Sequence, residues 1–171
     1  GHAIAIEAMS YLKEKISKDF ELVCVGPFNN NKLRENLLNK IKEFQLEDNI
    51  KFVGSSKEMN LIYSMADIVL SCATDPEAFG RIPVEAQSMG KIVIASNHGG
   101  HKETICEGVS GFLYAPNKSQ DLAGAILKAL SSEQYLDKSY QLKRRNLIIK
   151  NYTVEKMCQQ TLKVYKEVLS I

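Results

Sequence analysis

The sequence predicts an α/β protein in which helices cover both faces of a parallel sheet in three layers. Short apolar runs alternate with amphipathic helical stretches along all 171 residues, the pattern of βα units feeding a parallel sheet. The runs are continuous rather than alternating, as expected of strands buried on both faces. No linker, repeat or low-complexity tract divides the chain, whose length suits one domain.

Each element has a local reason. Residues 3–16 place Ile4, Ala8, Tyr11, Leu12 and Ile16 on one helical face, and Leu22-Val23-Cys24-Val25-Gly26 is a short apolar strand stopped by glycine. Residues 27–31 carry turn chemistry. Asn31 is then expected to cap a helix over 32–45 whose apolar positions are Leu33, Leu37, Leu38, Ile41 and Phe44. Ile50-Lys51-Phe52-Val53-Gly54 is the next strand, and Ser55-x-x-Glu58 has capping-box form before a short helix through Leu61, Ile62 and Met65. Residues 67–71, 91–96 and 111–114 form three further strands. Ser119 is expected to cap a helix bearing Leu122, Ala125, Ile126, Ala129 and Leu130, and two amphipathic helices near 133–149 and 153–169 end the chain.

Composition excludes several classes. With 44% hydrophobic and 25% charged residues the chain is neither disordered nor fibrous. The longest apolar run, residues 66–73, is interrupted by Asp67 and Ser71 and falls short of the roughly 18 to 20 residues of a membrane helix. The first residues lack a basic n-region and a cleavage site, so a cytoplasmic protein is expected. Cys24, Cys72, Cys106 and Cys158 form no C-x-x-C pair and read as reduced core residues. Residues 1–137 carry 14 basic and 18 acidic groups, whereas 138–171 carry 8 basic and 2 acidic. That basic end is either a solvated helix surface or a peripheral contact with an anionic membrane at its inner face. Nucleic-acid binding is disfavoured, since no basic strand interleaved with aromatics is present.

The chemistry concentrates in one segment. In Asp75-Pro76-Glu77-Ala78-Phe79-Gly80-Arg81-Ile82-Pro83-Val84-Glu85-Ala86, Pro83 suits the first turn of a helix beginning near Arg81. The free N–H groups of that helix start, with its positive dipole end, make a site for phosphate. Gly80 allows close approach and Arg81 adds a cation. Glu77 and Glu85 flank the site, and carboxylates suit paired sugar hydroxyls. Glu85 equally suits a first helical turn with no ligand at all, and Glu77 equally suits a solvated loop. Gly26 and Gly54 end parallel strands where open α/β sheets bind ligands, although glycine there is also an ordinary turn residue.

Other chemistries lack their residues. No G-x-G-x-x-G follows a strand and no G-x-x-x-x-G-K-[ST] occurs, against dehydrogenase and P-loop readings. No Ser sits in G-x-S-x-G. His98 and His101 are two imidazoles without a third ligand, so neither a metal nor a cofactor is expected.

The run Glu77-Ala-Phe-Gly-Arg-Ile-Pro-Val-Glu85-Ala, continuing through Met89-Gly90-Lys91-Ile92-Val93-Ile94-Ala95-Ser96 and Gly99-Gly100, resembles the Glu-x7-Glu signature of retaining glycosyltransferases of family 4. Val25-Gly26, Phe52-Val53-Gly54, Tyr63, Ala66-Asp67, Glu103 and the stretch 108–112 extend the resemblance over nearly the whole chain. It implies a Rossmann-like α/β/α domain, the C-terminal, donor-binding half of a GT-B fold, over residues 1–171. Glu77 would then contact hydroxyls of the donor sugar as the catalytic residue, and Glu85 the ribose hydroxyls. Backbone N–H groups of Phe79, Gly80, Arg81 and Ile82 would hold sugar and diphosphate. Gly26 and Gly54 would admit the nucleotide, with Ser55 and Ser56 near its base. The implied substrate is a nucleotide diphosphate sugar, of UDP or GDP first, whose sugar passes to an acceptor hydroxyl on a lipid, polysaccharide or other glycan of the cell envelope.

The chain departs from that pattern at its front. Family members place a strand and then an Arg and a Lys before the first helix, whereas this chain opens on Gly1-His2 with no initiator Met. The departure predicts a piece of a longer protein, or non-native first residues. It also predicts that the opening strand, two phosphate cations and the acceptor-binding N-terminal domain are absent, and that the 171 residues alone do not turn over. A sugar-nucleotide epimerase of the same fold and a non-catalytic nucleotide- or partner-binding module are the rival readings.

Overall fold

The computed structural model describes residues 1–16, 19–28 and 30–169. In chain order they form α1 (His2–Lys13), β1 (Leu22–Cys24), α2 (Asn31–Glu43), β2 (Ile50–Phe52), α3 (Met59–Met65), β3 (Ile68–Ser71), α4 (Arg81–Ser88), β4 (Ile92–Ser96), α5 (His101–Thr104), β5 (Gly111–Tyr114), α6 (Ser119–Leu130), α7 (Glu133–Leu136), α8 (Ser139–Asn151) and α9 (Val154–Leu169). All ladders between the strands are parallel. β1 pairs with β2, and β4 lies between β3 and β5 with Val69 opposite Val93 and Ile94 opposite Phe112.

Period-two alternation on β4 divides the molecule into layers. Ile92 and Ile94 face a core made with Ile6 and Leu12 of α1, Leu37 and Ile41 of α2 and Leu122 and Ile126 of α6. Val93 and Ala95 face the opposite side, against Tyr63 of α3, Ala86 of α4 and Ile105. All five residues of β4 are buried, which is why the run reads as continuously apolar.

Several local expectations are corrected. The cap of α2 is Asn30, whose Oδ1 accepts the Leu33 N–H at 3.0 Å, not Asn31, and Asn29 of the turn at 27–31 lies outside the described residues. Leu33 and Leu38 on that helix, and Tyr11 on α1, are exposed. The box Ser55-x-x-Glu58 does not close: the Glu58 N–H donates to Ser56 Oγ at 3.0 Å, and Glu58 itself precedes α3. Ser119 is the first residue of α6 and makes no side-chain cap. The helix expected over 133–149 is broken, because Asp137 takes an extended conformation and its carboxylate accepts the N–H and O–H of Ser139. Cys24 and Cys72 are half-buried but Cys106 and Cys158 are exposed, and all are free thiols.

α8 docks through one buried cation. Arg144, 3% exposed, donates Nε–H to Val109 O at 3.2 Å, Nη1–H to Gly90 O at 3.0 Å and a further N–H to Gln134 O. The helix α9 buries none of its described side chains, and Met157, Leu162, Tyr165, Val168 and Leu169 are exposed along it.

Candidate functional site

The segment between β3 and α4 is held in shape by a second loop beneath it. The Gly100 N–H donates to Glu77 O at 2.7 Å. A Cβ at Gly100 would stand 2.4 Å from Phe79 O, so only glycine lets the loop settle there. Gly80, with φ +80°, turns the chain into α4 through a conformation costly for other residues. A Cβ on it would meet His101 Cδ2 at 2.7 Å.

α4 starts at Arg81, where the sequence predicts it, and Pro83 is buried in its first turn. Among the described residues, the N–H groups of Phe79, Gly80, Arg81 and Ile82 donate to no protein acceptor. Four unpartnered donors at the positive end of a helix have the chemistry that suits an anion. The side chains of Phe79 and Ile82 are about two-fifths exposed, and the Phe79 ring meets Tyr152 edge-on at 5.6 Å.

The Glu85 carboxylate accepts from protein donors on both oxygens, whereas Glu77 has one longer contact. Tyr63 O–H donates to Glu85 Oε2 at 3.0 Å, and Arg81 donates Nη2–H and Nε–H to Glu85 Oε1 at 2.9 and 3.2 Å. Burial, and then the bond to Glu85, pushes the Tyr63 hydroxyl well above its ordinary pKa, so it remains a donor at neutral pH. The Arg81 guanidinium, expected as a cation beside the phosphate site, is paired with the carboxylate one turn along its helix. Glu77 Oε2 lies 3.6 Å from Nε2 of His101. That ring is fully buried, with Nδ1 3.0 Å from Ser96 O and Nε2 3.0 Å from Ser71 Oγ. A carbonyl only accepts, so Nδ1 carries a proton.

Gly26 and Gly54 are brought together. The Gly26 N–H donates to Gly54 O at 2.7 Å beyond the ends of β1 and β2, with open space where either side chain would stand. Beside Gly26 lies a cleft of about 370 Å³ lined by His2, Cys24, Val25, Phe28 and Leu33 among others, large enough for part of a small ligand. Ser55 and Ser56 are exposed in the following loop.

Tyr63 and Ser71 were not legible as site residues, because they meet Glu85 and His101 from 22 and 30 positions away. Reading His98 and His101 as metal ligands or nothing missed what they do. His98 Nε2 donates to Ala73 O at 3.0 Å and His101 supports the Glu77 loop. Among the described residues no group of three or more His, Cys, Asp or Glu could hold a metal ion.

Known proteins share this arrangement of elements. The chain is similar to a glycosyltransferase from Rickettsia africae over 99% of its length, with 33% identity and a TM-score of 0.87. It is similar to Anabaena HepE, solved in complex with UDP-glucose, over 96% of its length, with 28% identity and a TM-score of 0.84. In sequence it is 27% identical over 169 residues to the lipopolysaccharide 1,2-N-acetylglucosaminetransferase of Salmonella typhimurium. It spans 44%, 44% and 43% of those proteins, respectively. The fold is therefore the Rossmann-like α/β/α half of a GT-B glycosyltransferase. Residues 1–154 match the family description as well, and the chain belongs to the glycosyl transferases group 1 family.

Proposed function

We propose that the chain is the donor-binding domain of a retaining glycosyltransferase, which transfers a sugar from a nucleotide diphosphate to an acceptor hydroxyl. The observation that carries the reading is the start of α4: four unpartnered N–H groups flanked by the carboxylates of Glu77 and Glu85, the latter already oriented by donors from Tyr63 and Arg81. The N–H groups of Phe79, Gly80, Arg81 and Ile82 bind the diphosphate and stabilise the negative charge that grows on it as the sugar departs. Glu85 takes the ribose hydroxyls and Glu77 the sugar hydroxyls, which orients the anomeric carbon. Gly26 and Gly54 border the nucleotide, with Ser55 and Ser56 near its base. UDP and GDP are the donors to test first, and the relative solved with UDP-glucose supports that choice. Retention at the anomeric carbon rests on the Glu-x7-Glu resemblance.

The same proposal assigns two neighbours to residues 1–171. In the doubly wound order 3-2-1-4-5-6, β2 and β1 take the third and second positions and β3, β4 and β5 the fourth to sixth. A central strand from upstream fits between β1 and β3, which are not hydrogen-bonded to each other among the described residues. An acceptor-binding domain upstream accounts for the rest of the relatives' length. The basic α8 and the exposed apolar side chains of α9 suit contact with that domain or with an anionic membrane surface; no helix of the described residues is long and apolar enough to cross a membrane. Sedimentation with vesicles that does not depend on anionic lipid rules out the membrane contact.

A thermal-shift titration with UDP, GDP and ADP tests the donor site. The expected result is a rise in Tm for one of them, lost in Glu85→Ala. A rise that survives Glu85→Ala contradicts the site assignment.

A further inference from the structure

Glu85 is nearly saturated in the free protein. A carboxylate offers about four lone-pair positions on its two oxygens. Tyr63 takes one on Oε2, and Arg81 takes both on Oε1 through Nε–H and Nη2–H. One position remains, whereas a ribose diol brings two O–H donors. Binding the diol across both oxygens requires Oε1 to release part of the guanidinium.

The two partners of Glu85 are unequal. Tyr63 is 6% exposed, set in the core between Val69, Ala86 and Ile105. The Arg81 side chain is 84% exposed, and the contact holding it is an i,i+4 ion pair, a weak interaction on a solvated helix surface. Arg81 is thus the partner that leaves. It also has a destination, because it is the first residue of α4 and stands among the unpartnered N–H groups of Phe79, Gly80 and Ile82. A guanidinium there meets an incoming phosphate through the paired N–H geometry that suits it.

We propose that Arg81 is an exchangeable cation, resting on Glu85 in the free chain and passing to the donor diphosphate when the ribose hydroxyls take its place, while Tyr63 stays on Oε2 as the positioning residue of Glu85. The inference rests on the donor-site reading and adds a basis for selectivity. A nucleoside must displace Arg81 and gives it no anion in return, whereas a nucleoside diphosphate supplies one.

The test uses the whole chain and NMR of the Arg81 Nε–H group, with binding titrations beside it. The bound nucleotide moves the Arg81 Nε–H resonance off the position it holds on Glu85, and inorganic pyrophosphate, which brings the anion without the diol, moves it less. A resonance that neither moves overturns the exchange. If UDP, GDP and ADP do not bind, the donor reading falls and the exchange with it, whereas a nucleotide that binds without moving the resonance overturns the exchange alone. In Arg81→Gln the diphosphate binds about tenfold more weakly, while the matching nucleoside, uridine or guanosine, binds as well as before or better. Equal weakening of both makes Arg81 merely an orienting partner of Glu85 and overturns the proposal. Tyr63→Phe weakens nucleoside and diphosphate alike, and unchanged binding of both removes Tyr63 from its role.

Discussion

Glu77 Oε2 stands 3.6 Å from Nε2 of His101, on an imidazole with no exposed surface that is pinned by Ser96 and Ser71. The loop carrying the Glu77 carboxylate thus rests on a polar floor rather than on the apolar core. His101→Leu leaves the Ser71 and Ser96 groups without their partner, at a cost of about 1–3 kcal/mol. Thermal unfolding should show a Tm several degrees lower. Binding of a sugar nucleotide should weaken more than binding of the bare diphosphate. An unchanged Tm with an unchanged preference refutes the role of the floor.

Two glycines should answer alanine in opposite directions. Gly80→Ala puts a Cβ 2.7 Å from His101 Cδ2 at φ +80°, and the backbone strain alone costs about 1–2 kcal/mol. Gly124, inside α6, has open space around its missing side chain. Gly124→Ala should stabilise by about 0.5–1 kcal/mol. Calorimetry that gives both substitutions the same sign contradicts the local geometry.

Arg144 ties α8 to the backbone of three separate segments. Arg144→Met removes a charged donor from three carbonyls and should cost about 3 kcal/mol or more. Arg144→Lys should recover only part of this, since an ammonium does not reproduce the fork. Denaturant unfolding that ranks Lys equal to Arg denies the fork its role.

Burial, and then the neighbouring Cys72, pushes the Cys24 thiol up to about 11. The folded value lies above the unfolded one, about 8.5. Stability from the neutral thiol is thus fully present below about pH 8.5 and lost as pH rises toward 11. The Tm should fall across that interval. Alkylation of Cys24 at pH 8 should lag behind that of the exposed Cys106 and Cys158 and quicken with each unit of pH. Equal labelling at pH 8 contradicts the burial.

Strands and layers were legible because β4 is buried throughout and β3 is buried on one face and half-buried on the other, in short apolar runs too brief for helices. The start of α4 was legible because Gly80 and Pro83 bracket it within four residues. The partners of the two carboxylates were not. Tyr63 reaches Glu85, and His101 reaches Glu77, only through the stacking of separate βα units, which no local pattern encodes. For the same reason Arg144 read as one more basic residue of a solvated helix. Where two chemically equal residues compete for one role, as Asn30 and Asn31 do at the cap of α2, backbone geometry decides.

The most direct measurement of the central claim is a map of backbone amide shifts in the chain titrated with UDP-glucose, GDP-mannose and their diphosphates. Donor binding at the start of α4 predicts the largest changes at Phe79, Gly80, Arg81 and Ile82, with further changes at Gly26, Gly54 and Glu85. Saturable binding that leaves those amides still and moves another surface, such as the groove between Phe112 and Lys128, would contradict it.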